Sequence, residues 1–133
     1  MKLRKVLKNL NIKFAWIVNS EDGLDEISPY AKTNIVQLKN GRLSEFSIDP
    51  NELNINAKKF ENLLGDDSKF NANKIIEIFT GKDNDFSKAV CLNAAAGLIV
   101  SEKHSEFNEA YKNAREHILS GNAFKHLTNI QNG

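Results

Sequence analysis

The first half of the chain opens with a short, uninterrupted apolar run at Phe14–Val18, and a polar, acidic segment follows it at once. A continuous apolar run of this length is typical of a strand that is buried on both faces, as in a parallel or mixed sheet. The pattern therefore predicts a buried strand that leads into an exposed acidic loop. A short helix at 2–9 is predicted in front of this strand.

The clearest local signal is the dipeptide Asn40-Gly41, which separates two strand-like segments at 33–39 and 42–48. Asn-Gly supplies the two positive-φ positions of a type I′ turn, so these segments are predicted to form a β-hairpin with a two-residue loop. Asp49-Pro50 should end the second strand, because proline cannot donate to a strand ladder. The expected cross-strand pairs are Leu38 with Leu43 and Ile35 with Phe46.

The second half carries helical periodicity. Helices are predicted at 69–80, 86–101, 106–119 and 122–131. The helix at 86–101 is apolar nearly all round and is therefore expected to be the central, buried one. In the helix at 106–119, Ser105 is the expected N-cap, because a serine side chain can accept a hydrogen bond from the first turn. The expected buried faces are Ala72, Ile75, Ile76 and Phe79 in the first helix, and Phe107, Ala110, Tyr111, Ala114 and Ile118 in the third.

The acidic segment that follows the first strand is the strongest candidate for chemistry. Glu21, Asp22, Asp25 and Glu26 place four carboxylates within six residues, around Gly23. Open α/β sheets bind ligands beyond the carboxyl ends of their strands, and carboxylates on a turn suit Mg²⁺, which prefers oxygen ligands. The spacing does not match an EF-hand calcium loop. A solvated acidic turn without a ligand is the alternative interpretation of the same pattern.

The remaining reactive side chains give weaker signals. His104, His117 and His126 do not have the spacing of metal ligands. Cys91 lies in the most apolar helix, which predicts a buried, inert thiol. Asn93 is a polar amide in the same apolar stretch, so we expect it to form hydrogen bonds that tie the helix to a loop. The glycines are never clustered, and the sequence has no Walker A, GxGxxG or GxSxG motif to grip phosphates.

Composition narrows the function classes. The chain has 133 residues, 41% of them hydrophobic and 26% charged, which is typical of one globular domain. Its net charge of +1 argues against non-specific nucleic-acid binding and against a polybasic membrane anchor. No apolar run approaches the roughly 18 residues of a membrane span. A single cysteine excludes an intramolecular disulfide and favours a cytoplasmic protein.

Several of these segments, taken in order, resemble the anthranilate phosphoribosyltransferases. The stretch from Glu21 to Ser28 is similar to the metal-binding signature of that family. The hairpin, Asp49-Pro50, and the stretch from Cys91 to Ala96 follow in the family's order. Further matches are Gly65-Asp66 and Asn71–Lys74, with Leu64 where the family has a first glycine, and the tail from Ala114 to Gly121.

The resemblance implies an α/β fold: the C-terminal portion of a phosphoribosyltransferase/nucleoside-phosphorylase-like α/β domain, with one buried strand, a β-hairpin and three to four packed helices. Residues 1–133 would form a single, incomplete domain. The strand, the acidic loop and the hairpin would occupy 1–50, and the helical portion 51–133. Family members are more than twice as long, and their Gly-rich phosphoribosyl pyrophosphate (PRPP) loop and anthranilate-binding residues have no match here. The isolated chain is therefore expected to be inactive.

The resemblance also implies roles for individual residues. It makes Asp25 and Glu26 the Mg²⁺ ligands, and it gives Asp22, Gly23 and Ser28 the task of shaping the loop. The implied reaction transfers phosphoribosyl from PRPP to anthranilate in tryptophan biosynthesis, with Mg²⁺ on the leaving pyrophosphate. The family forms homodimers. The matching segments contain no catalytic side chain, and the substrate-binding residues stay unknown.

Two other interpretations stay open. The chain could be a non-catalytic interaction module that keeps the same scaffold and recruits a partner through an unpaired sheet edge. It could also belong to another phosphoribosyltransferase or to a nucleoside phosphorylase relative, since the residues that select the acceptor are not among the matching motifs.

Overall fold

In the computed structural model, residue 6 and residues 10–57 and 60–133 are described, and they form a small antiparallel sheet followed by packed helices. The sheet has the order β1-β2-β3. Its strands are β1 (Phe14–Ser20), β2 (Thr33–Lys39) and β3 (Arg42–Ile48). A 3₁₀ helix at Phe60–Leu63 precedes α1 (Ser68–Phe79), α2 (Asp85–Val100), α3 (Phe107–Leu119) and α4 (Asn122–Asn132). None of the helices in this part of the chain is long and apolar enough to cross a membrane.

The predicted first strand is present as β1, but its environment differs from the expectation. It pairs antiparallel with β2, with Trp16 opposite Gln37, and no strand among the described residues pairs with its other edge. Its side chains from Phe14 to Val18 are only partly buried. Side chains on both faces of β1 are covered only in part among the described residues, so the strand is present but the expected full burial of both faces is not.

The predicted hairpin is confirmed in its register and in its turn. Asn40 and Gly41 have φ values of 49° and 77°, as a type I′ turn requires. The cross-strand pairs are those expected, Leu38 with Leu43 and Ile35 with Phe46.

One face of the sheet packs against the helices. Trp16 on β1 stacks edge-on against Phe46 at 5.3 Å and lies 6.0 Å from the ring of Phe107 in α3. The core joins the sheet, the acidic loop and the helices, through Ile27, Ile35, Leu92, Ala95 and Ala110 among others. This packing places α2 directly beside the acidic loop.

The helix boundaries match the predictions to within about a residue, but the buried faces match less well. In α2, Leu92 and Ala95 are fully buried, whereas Val90 is 39% exposed and Gly97 is also exposed. The helix is thus central but not covered all round, because one side of it faces an open apolar groove about 430 Å³ in volume.

The predicted buried face of α1 is wrong. Ile75 and Ile76 are 46% and 42% exposed, and Ile78 is the residue that is buried. Only the last turn of α1 joins the core, through Ile78 and the partly buried Phe79. Position along the helix, rather than its apolar stripe, therefore decides which residues are covered.

The remaining helices largely confirm the pattern. The predicted stripe of α3 is buried at Ala110, Tyr111, Ala114 and Ile118. The N-cap of α3 is Glu106 rather than Ser105, and its side chain makes no capping hydrogen bond. The predicted helix at 2–9 lies, apart from Val6, outside the described residues.

Candidate metal site

The acidic loop folds back on itself as soon as it leaves β1. The N–H of Ser20 donates to the carbonyl of Leu24 at 3.0 Å, and the N–H of Glu21 donates to the carbonyl of Lys32 at 2.9 Å. Gly23 has a φ of 92°, in the left-handed region that a residue with a Cβ rarely adopts. The loop is thus a closed structure whose first turn depends on glycine.

Asp22 is used inside the loop. Its Oδ1 accepts from the N–H of Leu24 at 3.3 Å, and its Oδ2 accepts from the hydroxyl of Ser28 at 2.5 Å. Burial by itself would raise the pKa of Asp22, but hydrogen bonds from Ser28 and Ser20 hold that pKa below its usual value. Asp22 is therefore a charged structural acceptor.

Ser28 closes the other end of the loop and is fully buried. Its hydroxyl, besides donating to Asp22, accepts from the N–H groups of Tyr30 at 3.0 Å and Ala31 at 3.3 Å. Its own N–H donates to the hydroxyl of Thr33 at 3.1 Å. One serine therefore links the start of the loop to the start of β2.

Asp25 and Glu26 differ from Asp22 in having exposed side chains with no hydrogen bond or ion pair to any described residue. Partial desolvation and the adjacent negative charge of Asp25 raise the pKa of Glu26 above its usual value. A carboxylate that lies beside a second negative charge is a group that a bound cation would stabilise.

The donor set fits Mg²⁺ as a partial ligand shell. Mg²⁺ is usually held by one or two carboxylates, with waters and substrate phosphates completing its octahedron. No group of three or more His, Cys, Asp or Glu side chains that could hold a metal occurs among the described residues. Asp25 and Glu26 would therefore bind Mg²⁺ together with phosphate oxygens rather than in a cage built by the protein alone.

Asn93 ties α2 to this loop, which confirms the sequence prediction. Its Oδ1 accepts from the N–H of Ile27 at 2.9 Å, and its Nδ2 donates to the carbonyl of Ile27 at 3.0 Å. The same Nδ2 donates to the carbonyl of Ala89, one turn earlier in α2, at 3.0 Å. The amide thus holds the backbone of the residue that directly follows Glu26.

A second tie, which the sequence did not reveal, begins at Tyr30. The Tyr30 hydroxyl donates to Oδ2 of Asp85 at 3.1 Å, and Asn62 donates to the same oxygen at 2.7 Å. Asp85 is only 5% exposed, and its Oδ1 is paired with Lys88 at 3.1 Å. Burial, followed by the hydrogen bond to Asp85, raises the pKa of Tyr30 above its usual value. Nothing in the local pattern links a tyrosine after the loop to an aspartate at a helix start.

The other reactive residues are not part of this site. Cys91 is 1% exposed, which confirms the predicted buried thiol, and burial raises its pKa to about 11. A polar surface cavity of about 470 Å³ is lined by three cations, but each is paired: Lys88 with Asp85, Lys112 with Glu109, and Arg115 with Asp83. The acidic loop does not line this cavity.

Comparison with known proteins identifies the class to which this fold and loop belong. The sequence model of the glycosyl transferase family, a/b domain, matches residues 1–124, so the chain belongs to that family. It is 73% identical over 126 residues to an anthranilate phosphoribosyltransferase of Pelagibacter ubique. That match covers 95% of this chain and 38% of the relative, so the chain spans well under half of the relative's length.

Solved structures agree with the fold. An anthranilate phosphoribosyltransferase from Thermus thermophilus superimposes with a TM-score of 0.83 at 24% identity, over 95% of this chain and 37% of that one. The Saccharomyces cerevisiae enzyme, solved in complex with PRPP and Mg, gives a TM-score of 0.75 at 28% identity, over 85% of this chain and 33% of that one. The predicted α/β fold class and the resemblance to this family are thereby confirmed.

Proposed function

We propose that this chain provides the Mg²⁺-binding loop of an anthranilate phosphoribosyltransferase, with Asp25 and Glu26 as the protein's ligands. The observation that carries the proposal is the contrast within the loop. Asp22 is hydrogen-bonded inside the loop, while the adjacent carboxylates of Asp25 and Glu26 are both exposed and have no hydrogen bond or ion pair to a described residue. Glu21 is also exposed and unpaired, but its neighbour in the sequence is the hydrogen-bonded Asp22 rather than a second unpaired carboxylate. The relative at 73% identity supports the choice of enzyme, and the yeast enzyme solved with PRPP and Mg supports a role for the ion.

In the proposed reaction the amine nitrogen of anthranilate forms a bond to C1 of the ribose. The C1–O bond to pyrophosphate breaks, and the amine loses a proton. Mg²⁺ supplies charge neutralisation on the departing pyrophosphate. Asp25 and Glu26 hold the ion from the protein side, while Asp22, Gly23 and Ser28 keep the loop in the shape that presents those two carboxylates.

The chain by itself is proposed to be inactive. Its sequence contains no glycine-rich loop to hold the phosphates of PRPP and no segment similar to the family's anthranilate site. Metal ligands alone supply neither the positioning nor most of the electrostatic stabilisation on which transfer depends. PRPP and anthranilate as substrates, the family's homodimer, a cytoplasmic setting and residues 1–133 acting as one domain are parts of the same proposal.

Metal binding tests the assignment without depending on activity. Mn²⁺, which shares the preference of Mg²⁺ for oxygen ligands, can be titrated into the chain while the free ion is followed by electron paramagnetic resonance. Asp25→Asn and Glu26→Gln should each weaken Mn²⁺ binding by about tenfold or more. Glu21→Gln is the matched control, because it removes one charge from the same loop.

The control should leave the affinity close to that of the wild type. Equal weakening by Glu21→Gln would mean that the ion responds only to the overall charge of the loop. No weakening by either Asp25→Asn or Glu26→Gln would overturn the assignment.

The edge of β1 supports a second candidate function, a non-catalytic interaction module. β1 carries apolar side chains on both faces, and its outer edge has no strand partner among the described residues. Such an edge can pair with a strand of another chain. Size-exclusion chromatography with light scattering tests this function, since a clean monomer at high concentration would contradict a self-pairing edge.

A further inference from the structure

Within the proposed function, on which this inference rests, we propose that Asn93 is a positioning residue for the two carboxylates. It would act by fixing the peptide group that joins Glu26 to Ile27. The Asn93 amide makes its two hydrogen bonds to Ile27 at 2.9 and 3.0 Å, directly beside the Asp25–Glu26 pair.

The pattern of hydrogen bonds along the loop shows why this contact matters. Among the described residues, no backbone-to-backbone hydrogen bond involves Asp25 or Glu26. The nearest fixed point before them is the carbonyl of Leu24, held by the N–H of Ser20 at 3.0 Å. The nearest fixed point after them is the N–H of Ile27, which belongs to the same peptide plane as the carbonyl of Glu26. Asn93 therefore fixes the backbone on one side of Asp25 and Glu26, and the bond between Ser20 and Leu24 fixes it on the other side.

The amide can serve as an anchor because its own orientation is determined. The NH₂ group of Asn93 donates to the carbonyl oxygens of Ile27 and Ala89. The amide oxygen of Asn93 accepts from the N–H of Ile27. Rotating the amide by 180° would oppose donor to donor and acceptor to acceptor at all three contacts. A single orientation of Asn93 therefore corresponds to a single orientation of the Glu26–Ile27 peptide.

Asn93 lies in a helix whose first turn is capped and whose inner face is buried. The helix α2 begins in a capping box, in which Asn84 accepts from the N–H of Ser87 and the Ser87 hydroxyl accepts from the N–H of Asn84. The side chain of Ile27 is 1% exposed and lies in the core beside α2. The backbone and the side chain of Ile27 are thus both held, which fixes the peptide group that directly follows Glu26.

The test compares metal affinity in matched variants of the whole chain. Asn93→Ala should weaken Mn²⁺ binding by about tenfold, the effect expected when a group that orients a metal ligand is removed. Asn113→Ala is the control, because Asn113 is also a helical asparagine but is exposed and makes no hydrogen bond to a described residue. It should bind Mn²⁺ like the wild type. If Asn93→Ala fails to fold, Asn93→Ser replaces it, since its shorter hydroxyl cannot span both groups of Ile27.

A measurement on the wild-type chain needs no variant. If the Asn93 contact and metal binding are coupled, each must stabilise the other. Saturating Mg²⁺ should then slow hydrogen exchange at the N–H of Ile27, which donates to Asn93, while leaving the N–H of Asn40 in the hairpin turn unchanged.

The outcomes separate this inference from the function on which it rests. Wild-type affinity in Asn93→Ala, together with a loss in Asp25→Asn, would overturn the role of Asn93 and leave the metal loop standing. Unchanged exchange at Ile27 in saturating Mg²⁺ would also overturn it. Unchanged affinity in both Asp25→Asn and Glu26→Gln would instead remove the proposed function itself.

Discussion

The two connections of the sheet are built in opposite ways. The turn between β2 and β3 takes its shape from Asn40 and Gly41, whose positive φ values reverse the chain. Its backbone bond to another segment, from the N–H of Asn40 to the carbonyl of Lys13 at 2.8 Å, involves no side chain. The acidic loop between β1 and β2 takes its shape from its own side chains and from α2, through Ile27 held by Asn93 and Tyr30 held by Asp85. A turn whose shape is set by its own two residues can only reverse the chain. A loop held from outside can present two unpaired carboxylates in one arrangement.

The largest effect is expected at the closing residue of the loop. Ser28→Ala would remove the hydroxyl that donates to Asp22. The N–H groups of Tyr30 and Ala31 would lose the acceptor that the same hydroxyl provides. Leaving buried polar groups unsatisfied costs about 2 to 3 kcal/mol of unfolding free energy when one of them is charged. Urea unfolding measures the loss. Ser47→Ala, at an exposed position of β3, is the control and should change stability little. A loss below about 0.5 kcal/mol in Ser28→Ala would show that the loop does not depend on it.

A smaller effect is expected where the loop meets α2. Tyr30→Phe removes one hydrogen bond to Asp85, which keeps those to Asn62 and Lys88. The expected loss is about 1 kcal/mol, because a single hydrogen bond to a charged group is removed while others stay in place. Tyr111→Phe is the matched control, since the Tyr111 hydroxyl makes no hydrogen bond to a described residue. Equal losses in the two variants would mean that the contact with Asp85 contributes nothing specific.

The same contrast explains what the sequence could predict. Asn40-Gly41 and the helical stripe of α3 are local signals, and both are confirmed, including the hairpin register. Asn93 could be singled out because an amide in an apolar helix needs partners, although its partner, Ile27, could not be named. The contact between Tyr30 and Asp85 joins residues far apart in sequence and has no local signature. The prediction of which face of α1 is buried is wrong because only the last turn of that helix contacts the core.

A third prediction compares two glycines, one in the hairpin turn and one in α2. The same change to alanine should alter the free energy of unfolding in opposite directions at these two positions. Gly41→Ala places a Cβ at a φ of 77°, which costs about 1 kcal/mol. Gly97→Ala, in the helix α2, meets nothing within 4 Å and should raise the unfolding free energy by about 0.5 to 1 kcal/mol, since alanine is the better helix former. Thermal unfolding distinguishes the two directions. A stabilising Gly41→Ala would show that the turn is not fixed by its left-handed residues.

The smallest expected change in the free energy of unfolding is at Glu26, a proposed metal ligand whose charge should reduce stability when no metal is present. The pKa of Glu26 is raised in the folded chain, so its ionisation is disfavoured by folding. The stability that this group contributes is present below its unfolded pKa and is lost as the pH rises through the folded pKa. Without metal, Glu26→Gln should therefore stabilise the chain at pH 7 by a few tenths, about 0.3 kcal/mol, because the side chain is exposed. The gain should vanish in acid, where the wild-type Glu26 is protonated.

Saturating Mg²⁺ should reverse the order of the same two proteins at pH 7. A ligand that binds only the folded chain stabilises it in proportion to its affinity, and the wild type retains both Asp25 and Glu26 for the ion. The measurement is urea unfolding of both proteins with Mg²⁺ and with a chelator. A wild type that stays the less stable protein in saturating Mg²⁺ would mean that the repulsion between the two carboxylates is not relieved by the ion. Their exposed, unpaired arrangement would then need another explanation.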